Sequence, residues 1–239
     1  MLVCVVVLES LSTGCRKIDE SLGGGIPAGK IGLVYGEAES GKTTLAMQFA
    51  VDCARQGYKT LYVDCDEAFS TRRFSQIASD HLAEIADQIV LMRPKSFTEQ
   101  STLVDQLPEC LVGRFGLLAI DTVTSFYRAE TGSPSRVFDL NRELNRQMAV
   151  LAQIAKTRRV LVLVLSQVRF AFSESLEGVE PVAPRVLRFW ADVIMVLKPT
   201  GNRQIVRVIL EKGGHGPEPV RCYLRMDDTG IHEHKRKRV

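Results

Sequence analysis

The chain has 239 residues, 45% of them apolar, a formal charge of +3 and a mean hydropathy near zero, values that suit a soluble globular core built as a single large domain. The apolar run at residues 2–8 is too short to span a bilayer and has neither a basic start nor a small-residue cleavage site, so neither a membrane anchor nor a secretory signal is read there. The six cysteines are scattered with no C-x-x-C pair, which argues against a zinc or dithiol site and for reduced, packed thiols in a cytoplasmic protein.

In chain order, residues 2–8 read as a first strand. Lys17-Ile18-Asp19-Glu20-Ser21-Leu22 predicts a short capped helix, ended by Gly23-Gly24-Gly25 and a turn at Pro27-Ala28-Gly29. Ile31-Gly32-Leu33-Val34-Tyr35 is a short buried strand. It runs into Gly36-Glu37-Ala38-Glu39-Ser40-Gly41-Lys42-Thr43-Thr44, a phosphate loop with two glycines five apart followed by Lys and Thr. Leu45, Phe49 and Cys53 then recur at helical spacing up to a stop at Gly57. Each position in the loop has a physical role. Gly36 and Gly41 permit the tight turn that points successive N–H groups at phosphate oxygens, Lys42 adds a charge at the outer phosphates, and the Thr43 hydroxyl is an Mg²⁺ ligand. A strand feeding such a loop into a helix N-terminus is expected to hold ATP and Mg²⁺.

Residues 60–65 form a second predicted strand with Asp66 and Glu67 at its carboxyl end, where ligands of open α/β sheets gather. Ser70 caps a helix over 71–79, residues 88–92 are a short strand, and Ser96 caps a helix reaching Cys110. Residues 116–121 are an apolar strand ending in Asp121, the pattern that fixes an acid near the Mg²⁺ water shell. Residues 122–134 look loop-like. Val137, Leu140, Leu144, Met148, Leu151 and Ala155 mark one face of a long helix, and residues 160–165 are a doubly covered parallel strand ending in Ser166-Gln167. Residues 169–188 show no clear periodicity. Three strands at 192–197, 204–210 and 220–225 follow, and Lys235-Arg236-Lys237-Arg238 ends the chain, leaving the preceding residues one net negative charge.

Strands alternating with helices and then a β-meander predict an α/β fold. Specifically, the expectation is a RecA-like P-loop ATPase core over residues 1–231, with a mostly parallel twisted sheet flanked by helices and a C-terminal antiparallel β-meander. A basic tail at 232–239 completes it.

The passages Leu11-Ser12-Thr13-Gly14, Leu22-Gly23-Gly24-Gly25-Ile26, the phosphate loop, Asp121-Thr122-Val123-Thr124-Ser125-Phe126-Tyr127-Arg128-Ala129-Glu130, the helix at 141–155 and Ser166-Gln167-Val168 resemble the RecA/RadA recombinase superfamily. Within it the chain is most similar to the archaeal RadB paralogues, which lack the N-terminal helix-hairpin-helix domain. The resemblance covers nearly all of residues 11–231. It implies an ATP-binding, DNA-binding accessory protein of homologous recombination and DNA repair, with weak ATPase activity. Such a protein works beside a full-length recombinase or a Holliday-junction nuclease, as a dimer or small homo-oligomer.

By the same resemblance, Lys42 and Thr43 bind phosphates and Mg²⁺, and Asp121 supports the metal. Gln167 senses the γ-phosphate, and Asp66, with Glu67 beside it, stands where relatives position the attacking water. Arg128 and Arg136 flank the first DNA loop; Arg169, Arg185 and Arg188 lie in or near the second, with Phe170 and Phe172. Arginines neutralise phosphates and aromatics stack bases, which suits single-stranded DNA. The basic tail at Lys235, Arg236, Lys237 and Arg238 is a further sequence-independent DNA contact. Three departures weaken the expectation of a strand-exchange filament. No Phe-x-x-Ala motif precedes residue 11, Ala183-Pro184 replaces glycines in the second loop, and Lys212 is followed by Gly213-Gly214. A KaiC-like signalling ATPase and a non-catalytic interaction module remain the alternatives.

Overall fold

The computed structural model describes residues 8–170, 179–216 and 218–234. Strand β1 (Ser10–Leu11) leads to helix α1 (Arg16–Leu22), β2 (Ile26–Pro27), β3 (Ile31–Gly36), α2 (Lys42–Arg55) and β4 (Lys59–Asp64). Helices α3 (Thr71–Ala78) and α4 (Leu82–Ala86) precede β5 (Ile89–Met92), α5 (Phe97–Cys110) and β6 (Phe115–Asp121). Then come α6 (Ser125–Glu130), α7 (Pro134–Arg158), β7 (Leu161–Ser166), β8 (Val168–Phe170), β9 (Val179–Pro181) and α8 (Pro184–Trp190). The last strands are β10 (Val193–Pro199), β11 (Ile205–Lys212), β12 (Val220–Asp227) and β13 (Gly230–Glu233).

Nine strands form one sheet in the order β13-β12-β11-β10-β3-β7-β6-β4-β5. The strands from β10 through β5 are parallel, and β11, β12 and β13 are added antiparallel. This is the mostly parallel RecA-like architecture expected from the alternation of strands and helices. Side chains of a strand point alternately to its two faces, and here both faces are covered, which is why these strands read as unbroken apolar runs. Ile31, Leu33, Tyr35, Leu118, Ile120, Val162 and Val164 pack against α5, α7 and α8 on one side. Val34, Leu117, Ala119, Leu161, Leu163 and Leu165 pack with Leu45, Phe49 and Cys53 of α2 on the other.

Helix boundaries follow local chemistry. The Ser70, Ser96 and Ser133 hydroxyls accept hydrogen bonds from the backbone N–H three residues on, at the starts of α3, α5 and α7. Of the face that the helical spacing marks on α7, Leu140, Leu144, Met148, Leu151 and Ala155 are in the core and Val137 is half-buried. No described helix is long and apolar enough to cross a membrane.

Several segments differ from the sequence expectation. The loop-like stretch at 122–134 contains α6, a six-residue helix whose one buried side chain is Tyr127, too short to print a period. The aperiodic segment at 169–188 holds two three-residue strands and α8; β8 and β9 exist by pairing Val168 with Pro181 and Phe170 with Val179. The strand expected at residues 2–8 lies outside the described residues except for Leu8, which is buried in the α2 face of the core.

The terminal strand β13 also escaped the pattern, and it is clamped to the phosphate-loop helix by one side chain. Gln48 of α2 accepts from the Ile231 N–H at 2.7 Å and donates to the Ile231 carbonyl at 2.9 Å. Gln48→Ala leaves both backbone groups without these partners and is expected to lower the unfolding free energy by about 1–3 kcal/mol. A urea midpoint shift at unchanged slope reads this out; an unmoved midpoint would show that pairing with β12 alone holds β13.

Candidate functional site

The phosphate loop follows β3, which lies inside the sheet between β10 and β7. A methyl group at Gly36 would fall 2.4 Å from the Leu197 carbonyl oxygen and 2.7 Å from Ser40 Oγ, so only glycine lets the loop turn here. Gly41 has φ 91° and abuts Met226 Sδ, and it forms the N-cap of α2. Between the glycines Glu37, Ala38 and Glu39 are exposed, with Glu39 at φ 60°, while Ser40 is buried. Lys42 is only 7% exposed, and its ammonium donates to the carbonyls of Gly36 and Glu37 at 2.9 and 2.6 Å and to Ser40 Oγ at 3.4 Å. Burial lowers its pKa, and the carboxylates of Asp121, Asp66 and Glu37 oppose that shift.

Asp121 ends β6 on the same sheet face as Leu117 and Ala119, which is the face α2 covers. A one-residue slip would turn it to the α7 side. Its Oδ2 accepts from the Tyr62 hydroxyl at 2.8 Å, while Oδ1 is buried with no hydrogen-bond partner among the described residues. Burial pushes its pKa up to about 6, countered by the hydroxyls of Thr43 and Tyr62.

Asp66 lies beyond β4, with its carboxylate contacting Ser125 Oγ and Thr122 Oγ1, the latter at 3.3 Å. It is close enough to Lys42 and Asp121 to act on both electrostatically. Glu67 is exposed and sits at φ 53°. The turn that carries both is organised by Asp64, a fully buried carboxylate. It accepts from the N–H groups of Ala68 and Phe69 at 2.9 and 3.2 Å and from Arg93 Nε at 3.0 Å.

Gln167 follows β7, whose last residue, Ser166, lies opposite Tyr35, the residue before Gly36. Its Oε1 accepts from Nη1 of Arg128, at the end of α6. Beyond this contact opens a cleft of about 670 Å³, lined by Arg128, Arg169 and Arg185 together with Tyr127, Asn141 and Val182. Arg185 is exposed; Arg169 faces Glu180 at 3.4 Å. Arg136 begins α7 and pairs with Glu130 rather than joining the cleft. Arg188 turns inward, bonding the Tyr35 hydroxyl at 2.9 Å and Glu211 at 3.0 Å, with its guanidinium 5.6 Å above the Tyr35 ring. Burial and Glu211 raise the Tyr35 pKa, so that phenol remains a neutral donor. Phe172 and the tail residues Lys235, Arg236, Lys237 and Arg238 lie outside the described residues.

These side chains fit ATP with Mg²⁺. The orphaned Oδ1 of Asp121, the Thr43 hydroxyl beside it and the loop closed over by a cation form a hard-oxygen set next to a phosphate cradle. Sequence reasoning missed Tyr62, Asp64, Ser125 and the Tyr35–Glu211–Arg188 triangle. Tyr62 and Asp64 carried a usable signal, because alternation in β4 puts both on the Asp121 face. Ser125 and Arg188 carried none, since their partners lie 59 and 153 residues away.

Comparison with known proteins identifies the family. The Rad51 family model matches residues 6–233. The chain is 30% identical over 225 residues to a DNA repair and recombination protein RadB of Methanococcoides burtonii, covering 94% of this chain and 98% of that one. It is 35% identical over 228 residues to the RadB of Thermococcus gammatolerans, covering 93% and 98%. A crystal structure of the RadB recombinase superposes with a TM-score of 0.81 at 32% identity, covering 94% of this chain and 100% of that one. The chain therefore belongs to the Rad51 family, among the RadB DNA repair and recombination proteins.

Proposed function

We propose that this protein binds ATP with Mg²⁺ at the phosphate loop, hydrolyses it slowly, and binds single-stranded DNA along the arginine-lined cleft. In this reading it modulates a full-length recombinase or a junction nuclease, as a dimer or small homo-oligomer, rather than performing strand exchange itself. The observation that carries the reading is the adjacency of two chemistries at the carboxyl ends of the parallel strands. The Lys42, Thr43 and Asp121 cluster sits one strand away from Gln167, and the arginine-lined cleft begins there.

Each residue has a defined part. Lys42 releases the carbonyls of Gly36 and Glu37 to meet phosphate charge, and Thr43 and Asp121 hold the metal and its water shell. Bound Mg²⁺-ATP supplies a γ-phosphoryl group open to attack by water. Gln167 is the sensor of that group, and Arg128, Arg169 and Arg185 are the phosphate ligands for DNA. Arg136 and Arg188 are set apart from these three by position, since neither lines the cleft and each is paired with a carboxylate.

Asp66 is the residue that sets the slow rate. It is one methylene shorter than a glutamate, and its carboxylate is drawn to Thr122 and Ser125. A shortfall of about an ångström in positioning the water costs on the order of a hundredfold in rate. Asp66→Glu is expected to raise kcat with ATP affinity nearly unchanged, the mark of an interaction made mainly in the transition state. Steady-state turnover of Asp66→Glu, Asp66→Ala and Glu67→Ala checks this: if Glu67→Ala alone abolishes hydrolysis, the assignment to Asp66 is wrong.

DNA binding is tested by anisotropy of a labelled single strand over a salt series. Removing Lys235, Arg236, Lys237 and Arg238 is expected to weaken binding equally for all sequences and to flatten log affinity against log salt, by about 0.7 for each phosphate no longer neutralised. An unchanged slope removes the tail from the DNA site.

A further inference from the structure

The arginines around the cleft are held in chemically different ways. Arg169 faces the Glu180 carboxylate and Arg136 that of Glu130, so both charges are partly cancelled. Arg128 is held instead by the Gln167 amide oxygen, a neutral acceptor that fixes the guanidinium without cancelling its charge. Hydrogen bonds between two ionised groups are stronger than those to a neutral partner, so Arg128 is the more readily surrendered of the three.

Sheet order gives this contact a second meaning. Gln167 follows β7, with β3 and its phosphate loop on one side and β6, which leads to α6 and Arg128, on the other. The residue after the middle strand therefore stands between two elements: its amide oxygen is taken by Arg128, while its NH₂ is the group a phosphate oxygen would take, so the two partners compete for the position of one side chain. Its backbone is fixed by the Val182 N–H, which donates to the Gln167 carbonyl at 3.0 Å, and by Ser166, whose hydroxyl contacts Thr124 at 3.1 Å. The far partner is anchored too: the Tyr127 hydroxyl, next to Arg128, bonds Asn141 of α7 at 3.2 Å. With both backbones tied, an exchange of partners is confined to the two side chains.

We propose that Arg128 is a nucleotide-gated ligand for the phosphates of a single DNA strand: Gln167 restrains it until a terminal phosphate beside Gly36 draws the amide across β7. This rests on the reading of Gln167 as the phosphate sensor and of the cleft as a nucleic-acid site. The coupling passes through release of Arg128. ADP, which lacks the terminal phosphate, leaves Arg128 restrained.

The full chain is tested with a labelled oligothymidylate in the absence of nucleotide, with Mg-ADP and with a nonhydrolysable Mg-ATP analogue. A fluorescent ATP analogue confirms that each variant still binds nucleotide. In the wild type the ATP analogue is expected to strengthen binding several-fold and to steepen the salt slope by about 0.7, the value for one more phosphate neutralised on a single strand. Arg128→Ala abolishes that gain. Gln167→Ala binds without nucleotide as tightly as the wild type does with the analogue, a gain that a misfolded variant cannot mimic. If Gln167→Ala is instead no tighter than the nucleotide-free wild type, the gate is overturned. A readout free of DNA separates the gate from the reading beneath it: phenylglyoxal labelling of Arg128, followed by mass spectrometry, is expected to rise with the ATP analogue and not with ADP. Unchanged labelling overturns the gate. Increased labelling without strand binding in any state upholds the release of Arg128 and overturns DNA as its ligand.

Discussion

The central strand β3 is paired on both edges and covered on both faces, and its last residue has no room for a side chain. Gly36 lies so close to the Leu197 carbonyl and Ser40 that the chain must leave the sheet there as bare backbone. That constraint fixes where the phosphate loop begins and where α2 starts. It also decides which neighbours the loop has, because β7 and β10 flank β3 in parallel register. Asp121, Gln167 and the C-terminal hairpin take their places relative to this point.

Around it the molecule concentrates charge in a poorly hydrated place. Lys42, Asp121 and Asp64 are all buried, and a buried ion is tolerable only when it is paired or hydrogen-bonded. The three are satisfied differently. Lys42 takes the loop's own carbonyls, Asp64 takes two backbone N–H groups and Arg93, and Asp121 takes Tyr62 on one oxygen and leaves the other unpartnered. Only the last arrangement leaves a buried carboxylate oxygen without a hydrogen bond among the described residues, so the three ions differ in their hydrogen bonds and not in their burial.

The segment after β7 is held at both ends and connects the phosphate loop with the cleft. At its start Gln167 touches Arg128; at its end α8 is fastened to the core through Arg188, which joins Glu211 and Tyr35, and through Lys212, which donates to the Ala191 carbonyl. Tyr35 is the residue just before Gly36. The helix beside the cleft and the phosphate loop are thus joined to one strand through few side chains.

The sequence alone determined the order of strands and helices, the phosphate loop, the acid ending β6 and the buried stripe of α7. Those features are written in local spacing: period two or near-continuous apolarity in strands, period 3.6 in helices, and glycines where the backbone must turn. Arg188 shows where that legibility ends. Its place in the chain sets it near the second DNA loop, but nothing local foretells that it bonds Tyr35 and Glu211, partners 153 residues before it and 23 after. The short elements α6, β8, β9 and α8 were equally unreadable, since three to seven residues cannot establish a period and exist only because packing and pairing hold them. Tertiary structure alone decided that Asp64 would organise the turn bearing Asp66, that Tyr62 would satisfy half of Asp121, and that Gln167 would hold Arg128. Each joins residues distant in sequence, and which of many chemically similar side chains meet is fixed by sheet order and register, which local spacing does not encode.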